Sequence, residues 1–227
     1  MSNNNVLNSN QNLHSGLLVT SMTYTAIIDG ICTLKNRMPP SGAMAGIYTS
    51  VDNNRGVWKA PANISINHVI KPTVEISNAE QALLNVDAVS GKSINAIRSF
   101  PGKGILVWGA RTLDGNSSDH RYISVQRTIM MLEQSIKLGL EPFVFEPNDA
   151  NTWAVVKVLI SNYLNTIWRD GALAGAKTSD AFFVSVGLGS TMTAQDILEG
   201  KMIISIGVAP LRPAEFIILR LSINMEE

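Results

Sequence analysis

Apolar and polar positions alternate most strictly where the chain ends. Ile217, Leu219, Leu221, Ile223 and Met225 are interleaved with Ile218, Arg220, Ser222 and Asn224, the period of a strand with one apolar face. Met22, Tyr24, Ala26 and Ile28 alternate with Thr23, Thr25 and Ile27 and predict a second, half-buried strand near the front. In between, the period lengthens to that of helices. Residues 122–138 carry an apolar side of Ile123, Ile129, Met130, Leu132 and Ile136, with Gly139 as the stop. Residues 150–169 carry a stripe of Trp153, Val156, Ile160, Tyr163 or Leu164, and Ile167, with Asn148 or Asp149 as the N-cap. Ser77-x-x-Glu80 reads as a capping box ahead of a short helix over 79–86, and a brief helix is expected over 193–199. Short apolar runs at 104–108, 143–145, 182–186 and 202–208 predict buried strands. Pro and Gly break 37–46 into a turn, and 52–63 (DNNRGVWKAPAN) reads as an ordered loop. The Asn- and Ser-rich residues 1–15 read as a disordered leader.

Strands alternating with helices indicate an α/β domain, a mixed β-sheet packed against helices, with extended terminal strands available to join neighbouring subunits' sheets. The expected division is 1–21 as a disordered leader or arm, 22–218 as the core domain, and 219–227 as a C-terminal strand or arm.

Charge gives little pull toward any partner. Lys and Arg total 18 and Asp and Glu total 18, so the formal net charge is zero. That excludes attraction to nucleic acid by bulk charge and lowers the barrier to self-association. The single cysteine, Cys32, excludes an intramolecular disulfide or a cysteine-based zinc cage. No apolar run reaches the roughly 18 residues of a membrane span. Residues 1–16 lack the Lys or Arg of a secretory signal, so no membrane insertion and synthesis in the cytoplasm are expected.

Three motifs have the residue types of chemistry without its spacing. Gly91-Lys92-Ser93 ends like a phosphate-binding loop, but Val86 stands where that loop needs a glycine. Gly187-x-Gly189 is a partial dinucleotide fingerprint with Met192 at the third glycine position. Ser117, Ser118, Asp119 and His120 are contiguous in a polar loop, where spacing alone cannot build a nucleophile, a base and an orienter. His14, His68 and His120 belong to no cluster with metal-ligand spacing. The expectation is no catalytic residue, no cofactor and no metal. Arg111, Glu146, Asp149, Arg169 and Asp170 stand at the ends of apolar elements and read as ion pairs and caps that fix strand-to-helix turns. An acid–base site at strand ends is the alternative.

Eight segments, in order, resemble the C-terminal part of contractile tail sheath proteins, the family found in contractile phages, R-type pyocins and phage-like extracellular injection systems. They are 39–48 (PPSGAMAGIY), 52–63 (DNNRGVWKAPAN), 94–98 (INAIR) and 104–113 (GILVWGARTL), then 145–149 (FEPND), 168–175 (WRDGALAG), 191–200 (TMTAQDILEG) and 206–220 (IGVAPLRPAEFIILR). Family members are considerably longer ahead of the PPSG segment, so a reduced sheath, or a piece of one, is expected.

The resemblance implies a structural subunit rather than an enzyme. Its implied partners are further copies of itself in helically stacked hexameric rings, an inner tube protein, and baseplate and terminal cap proteins. The particle would be made in the bacterial cytoplasm as a phage tail or a released phage-like particle. By the same resemblance, terminal strands complete a neighbour's sheet, here Leu219 to Met225 and Met22 to Ile28. A helix near the C-terminus touches the inner tube through charges, for which Asp196, Glu199 and Lys201 are the candidates. A non-polymerising cap or adaptor on a sheath-like domain, and a small α/β enzyme using Arg111 and Glu146, are the competing classes.

Overall fold

The computed structural model describes residues 2–87, 89–216 and 218, with side chains from residue 9 onward. The chain divides into two units, Met1–Ala45 and Gly46–Glu227.

The first unit is helical. Helices α1 (Ser2–Thr20) and α2 (Met22–Asn36) meet at Ser21, where the chain bends by 109°. The Ser21 hydroxyl accepts from the Tyr24 N–H at 3.3 Å and caps α2. His14 Nδ1 and the Tyr24 hydroxyl lie 2.8 Å apart and tie the two helices together. Two expectations change here. Residues 2–20 are a helix where a disordered leader was expected, and Met22, Tyr24, Ala26 and Ile28 lie in a helix where a strand was expected. The reason is a double period. Tyr24, Ile27, Ile31 and Leu34 also recur at three and four residues, which suits a helix, and Ser21 supplies the start signal that alternation alone ignores. Among the described residues, no single helix is long and apolar enough to cross a membrane.

Helix α3 (Ser41–Arg55) follows Pro39-Pro40 and absorbs the start of the expected 52–63 loop. In the second unit it buries Ile47 and Val51. Strand β1 (Ile64–Ser65), helix α4 (Asn78–Asn85) and strands β2 (Ala96–Phe100) and β3 (Gly104–Trp108) follow. The strands form an antiparallel sheet in the order β1-β3-β2, with Ala96 opposite Trp108 and Arg98 opposite Leu106. The Ser77–Glu80 capping box starts α4.

Helices α5 (Ile123–Leu140) and α6 (Ala150–Arg169) form one layer of the C-terminal half. After α6 come α7 (Thr178–Ala181), β4 (Phe182–Val186), α8 (Ala194–Leu198) and β5 (Ile204–Val208). Strands β4 and β5 pair antiparallel, with Val184 opposite Ile206. Val156, Ile160 and Leu164 of α6 are wholly buried and meet Leu132 and Ile136 of α5 and Val184 of β4. Each such aliphatic side chain contributes about 1.5–3 kcal/mol by leaving water, so this cluster anchors the half.

Two further expectations fail locally. Gly139 lies inside α5 and does not stop it: the helix runs on to Leu140. Residues 143–145 form no strand, because Glu141–Phe143 close a 3-10 turn led by Pro142. Val144 and Phe145 then point to solvent, with Phe145 at φ 72°, a left-handed backbone that no strand contains. The expected strand over Leu219 to Met225 lies outside the described residues.

Candidate assembly surfaces

Among the described residues, the C-terminal half is a half-covered layer. Helices packed side by side lie about 10 Å apart and paired strands about 4.8 Å apart. Two helices therefore floor about four strands, and β4 and β5 are two. The edge of β5 away from β4 has no partner among the described residues, and it looks onto the bare flank of α5. Between them runs an open apolar groove of about 630 Å³, lined by Ile129, Ile136 and Leu140 of α5 and by Ile204, Ile206 and Val208 of β5. Glu133, Lys137 and Glu141 border it.

The chain leaves this half along a pinned path. The Ala174 N–H donates to Ala209 O at 2.7 Å and the Leu211 N–H to Ala172 O at 3.2 Å. Arg212 then pairs with Asp119 at 3.2 Å. Last, Glu215 meets Arg111, which follows β3 and is 7% exposed. Arg111 Nε donates to both carboxylate oxygens at 3.0 Å, Nη2 donates to one at 2.6 Å, and the Tyr122 hydroxyl adds a bond at 3.2 Å. The backbone of Arg111 is held by the Asn95 amide, which accepts from its N–H at 3.0 Å and donates to its carbonyl at 2.8 Å. Beyond this anchor Phe216 and Ile218 are exposed.

The charges at element ends separate into different duties. Arg111 pairs with Glu215, a partner 104 residues away that no spacing rule brings to it. Glu146 is exposed and takes part in none of the ion pairs among the described residues. Asp149 caps α6 by accepting from the Thr152 N–H at 2.9 Å, and that bond holds its carboxyl below the usual range. Arg169 closes the last turn of α6, and the Asp170 N–H donates back to Thr166 O at 3.0 Å. A clamp missed by sequence joins α3 to α5: Arg127 makes two bonds to Asp52, at 2.9 and 2.6 Å, and stacks 4.9 Å over the Tyr48 ring.

On α8, Asp196 is committed to the cap, accepting from the Thr193 N–H and hydroxyl at 2.9 and 2.7 Å. The Thr193 hydroxyl is the larger cause that pulls its carboxyl below the usual range. Glu199 accepts from Lys201 at 2.6 Å, beside an exposed Leu198. The chemistry-like loops resolve as turns. Asp87 accepts from the N–H groups of Val89 and Ser90 ahead of Gly91-Lys92-Ser93, and Ser117 Oγ accepts from those of Asp119 and His120.

Two domain families match in succession. Residues 4–113 match the phage tail sheath protein central domain and residues 116–224 the phage tail sheath C-terminal domain. The chain belongs to the contractile tail sheath family. Within that family, it is 29% identical over 161 residues to the tail sheath protein of Vibrio phage KVP40, covering 66% of this chain and 23% of that one. Against the tail sheath protein of Burkholderia phage BcepMu it is 23% identical, covering 68% of this chain and 33% of the relative. Among solved sheath-like structures, a chain of the anti-feeding prophage (AFP) baseplate is 49% identical with a TM-score of 0.76. A chain of the PVC sheath complex, an extracellular contractile injection system in its contracted state, is 45% identical with a TM-score of 0.77. Each of these two matches covers 82% of this chain and 51% of the other. The chain thus spans about half the length of the solved relatives and a third or less of the phage sheaths.

Proposed function

We propose that this chain works as a structural subunit of a contractile sheath, without catalysis, stacking as hexameric rings around an inner tube and driving that tube through a target envelope on contraction. The observation that carries the reading is that, among the described residues, nothing covers the flank of α5 beside the edge of β5, which has no strand partner. An apolar groove beside a free strand edge takes an extended segment whose backbone pairs with β5 and whose alternate side chains fill the groove. Leu219, Leu221, Ile223 and Met225 supply such a face, and a second copy of the chain is the donor. An arm from the N-terminal side of a neighbour is the second occupant; residues 22–28 would have to leave the helix to serve. The AFP baseplate relative, solved with six-fold symmetrisation, supports the ring. Baseplate and terminal cap proteins are the remaining partners, and the bacterial cytoplasm is the place of synthesis.

The division of labour follows: residues 22–218 as the sheath core, 219–227 as the donated arm, and α8 as the tube-facing helix. Because Asp196 is spent on its own cap, Glu199 and Lys201 are the charges through which α8 meets the tube.

Deleting residues 221–227 tests the reading. The truncated chain should keep the melting temperature of the parent and lose polymerisation, seen by electron microscopy and sedimentation. A truncated chain that still forms tubes removes strand donation. In the full chain, Glu199→Lys should lower retention of the inner tube protein in co-sedimentation; unchanged retention removes α8 from the tube interface.

A further inference from the structure

One side of α2 is occupied and another is bare. Toward α1, the Tyr24 hydroxyl meets His14 Nδ1 at 2.8 Å and the Thr25 hydroxyl donates to Leu18 O at 3.0 Å. Ile27, Ile31 and Leu34 recur at four and then three residues, so they share one face of the helix. They are 55%, 46% and 75% exposed, and α2 has no buried residue among the described residues. Gly30 lies on the same face, three residues after Ile27 and four before Leu34. A Cβ at Gly30 would meet nothing within 4 Å. Nothing among the described residues asks for a glycine there, although glycine inside a helix weakens it relative to alanine.

The charges choose among partners. Asp29 is the one formal charge among the side chains from Met1 to Leu34, and at two residues from both Ile27 and Ile31 it falls on the far side of the helix. The stripe itself is uncharged, so two copies of it meet without repulsion, each facing the same patch on the other as in a two-fold contact. A lipid surface asks for something else, a strong apolar face with Lys and Arg along the polar one. In α2 the only basic residue is Lys35, in the last turn. That lysine also sets the direction. A parallel pair would bring the two copies of Lys35 together. In an antiparallel pair centred between Gly30 and Ile31, Ile27 lies opposite Leu34. The lysines then stand about 13 Å apart along the axis at 1.5 Å per residue, beyond the screening length of roughly 8 Å. Gly30 sits at the crossing point, where a missing side chain lets two backbones come closest.

We infer that the Ile27, Ile31 and Leu34 stripe of α2 pairs antiparallel with the same stripe of a second copy of this chain, crossing at Gly30. The pairing uses α2 as a helix and involves neither α5 nor β5, so it does not rest on the sheath reading. A copy that gave residues 22–28 to a neighbour's sheet would be unable to pair in this way. Three side chains and a glycine from each copy make a small, reversible contact, which trapping reads better than sizing.

Cysteine trapping in the full chain tests it. Cys32 is exposed and falls off the stripe, so the variants carry Cys32→Ser and the parent serves as the reference for random collision. Ile31→Cys faces its own copy. In a glutathione redox buffer it should form a disulfide-linked dimer at least about tenfold faster than the parent does through Cys32. Ile27→Cys should not link to itself, but mixed with Leu34→Cys it should give the mixed dimer. A dimer from Ile27→Cys alone means a parallel pair and overturns the inference, as does trapping no faster than in the parent. Ile31→Asp, added to the Ile27→Cys and Leu34→Cys chains, should abolish the mixed dimer and leave the melting temperature unchanged. A dimer lost together with a lower melting temperature would make Ile31 an internal support, and overturns the inference. Parent binding to phosphatidylglycerol vesicles that Ile31→Asp removes, without trapping, would give the stripe to a membrane and overturn it too. Each of these failures leaves the sheath reading standing.

Discussion

Replacing Glu215 with alanine removes the carboxylate that Arg111 meets. Three guanidinium hydrogen bonds and one from Tyr122 disappear together. Breaking a buried pair from one side costs about 3–5 kcal/mol. Here Glu215 is 24% exposed, so water reaches the vacated side even though Arg111 stays at 7%. Partial rehydration brings the expectation to about 2–3 kcal/mol. At about 2–4 °C per kcal/mol for a domain of this size, the unfolding midpoint should fall by about 4–12 °C. Thermal unfolding followed by circular dichroism at neutral pH measures it. Arg111→Met and the double variant complete a cycle, in which the double variant should lose less than the sum of the two single losses. A fall of under about 1 °C, or strictly additive losses, would refute the claim that this pair anchors the C-terminal segment.

Gly109→Ala should destabilise by about 2–4 kcal/mol in the same assay, because its φ of 124° is closed to side chains and a Cβ would lie 2.7 Å from Asn95 Oδ1, the group that holds the Arg111 backbone. Glu80, Asp149 and Asp196 all have carboxyls drawn below their usual range, chiefly by bonds to Ser77, Thr152 and Thr193. A lowered folded-state value means that their contribution is present above the ordinary carboxylate range and lost as pH falls through the lowered values. The midpoint plotted against pH should therefore bend down on the acid side, and a Glu80→Gln/Asp149→Asn/Asp196→Asn variant should flatten that limb; an unchanged acid limb would exclude the caps as its cause.

The legible parts of the fold were those where two local signals agree. Residues 150–169 combine a helical stripe with Asp149 as cap, and 104–108 combine a continuous apolar run with flanking glycine, so both elements could be read directly. Residues 22–28 fit two periods at once: the alternation of Met22, Tyr24, Ala26 and Ile28 suits a strand, although Ser21 caps a helix there. Residues 143–145 have strand-like composition, but Pro142 had already turned the chain. The candidate surfaces were legible only in part. The alternation of 219–225 pointed to a pairing strand, whereas the groove exists only because α5 and β5 come together across about seventy residues of chain. The Arg111–Glu215 anchor is a property of three-dimensional proximity, and no local pattern encodes it.

The bare flank of α5 makes temperature a variable of any lattice built on it. Hydrocarbon leaving water carries a negative heat-capacity change, and the attraction weakens toward freezing. A strand seated between α5 and β5 would be held most tightly when warm and would loosen on ice. Contacts through the Glu199–Lys201 pair obey a different rule, since exposed charges are screened by salt and respond little to cooling. On the proposed reading, cold and salt would take a particle apart along different seams, the first between subunits and the second between subunit and tube.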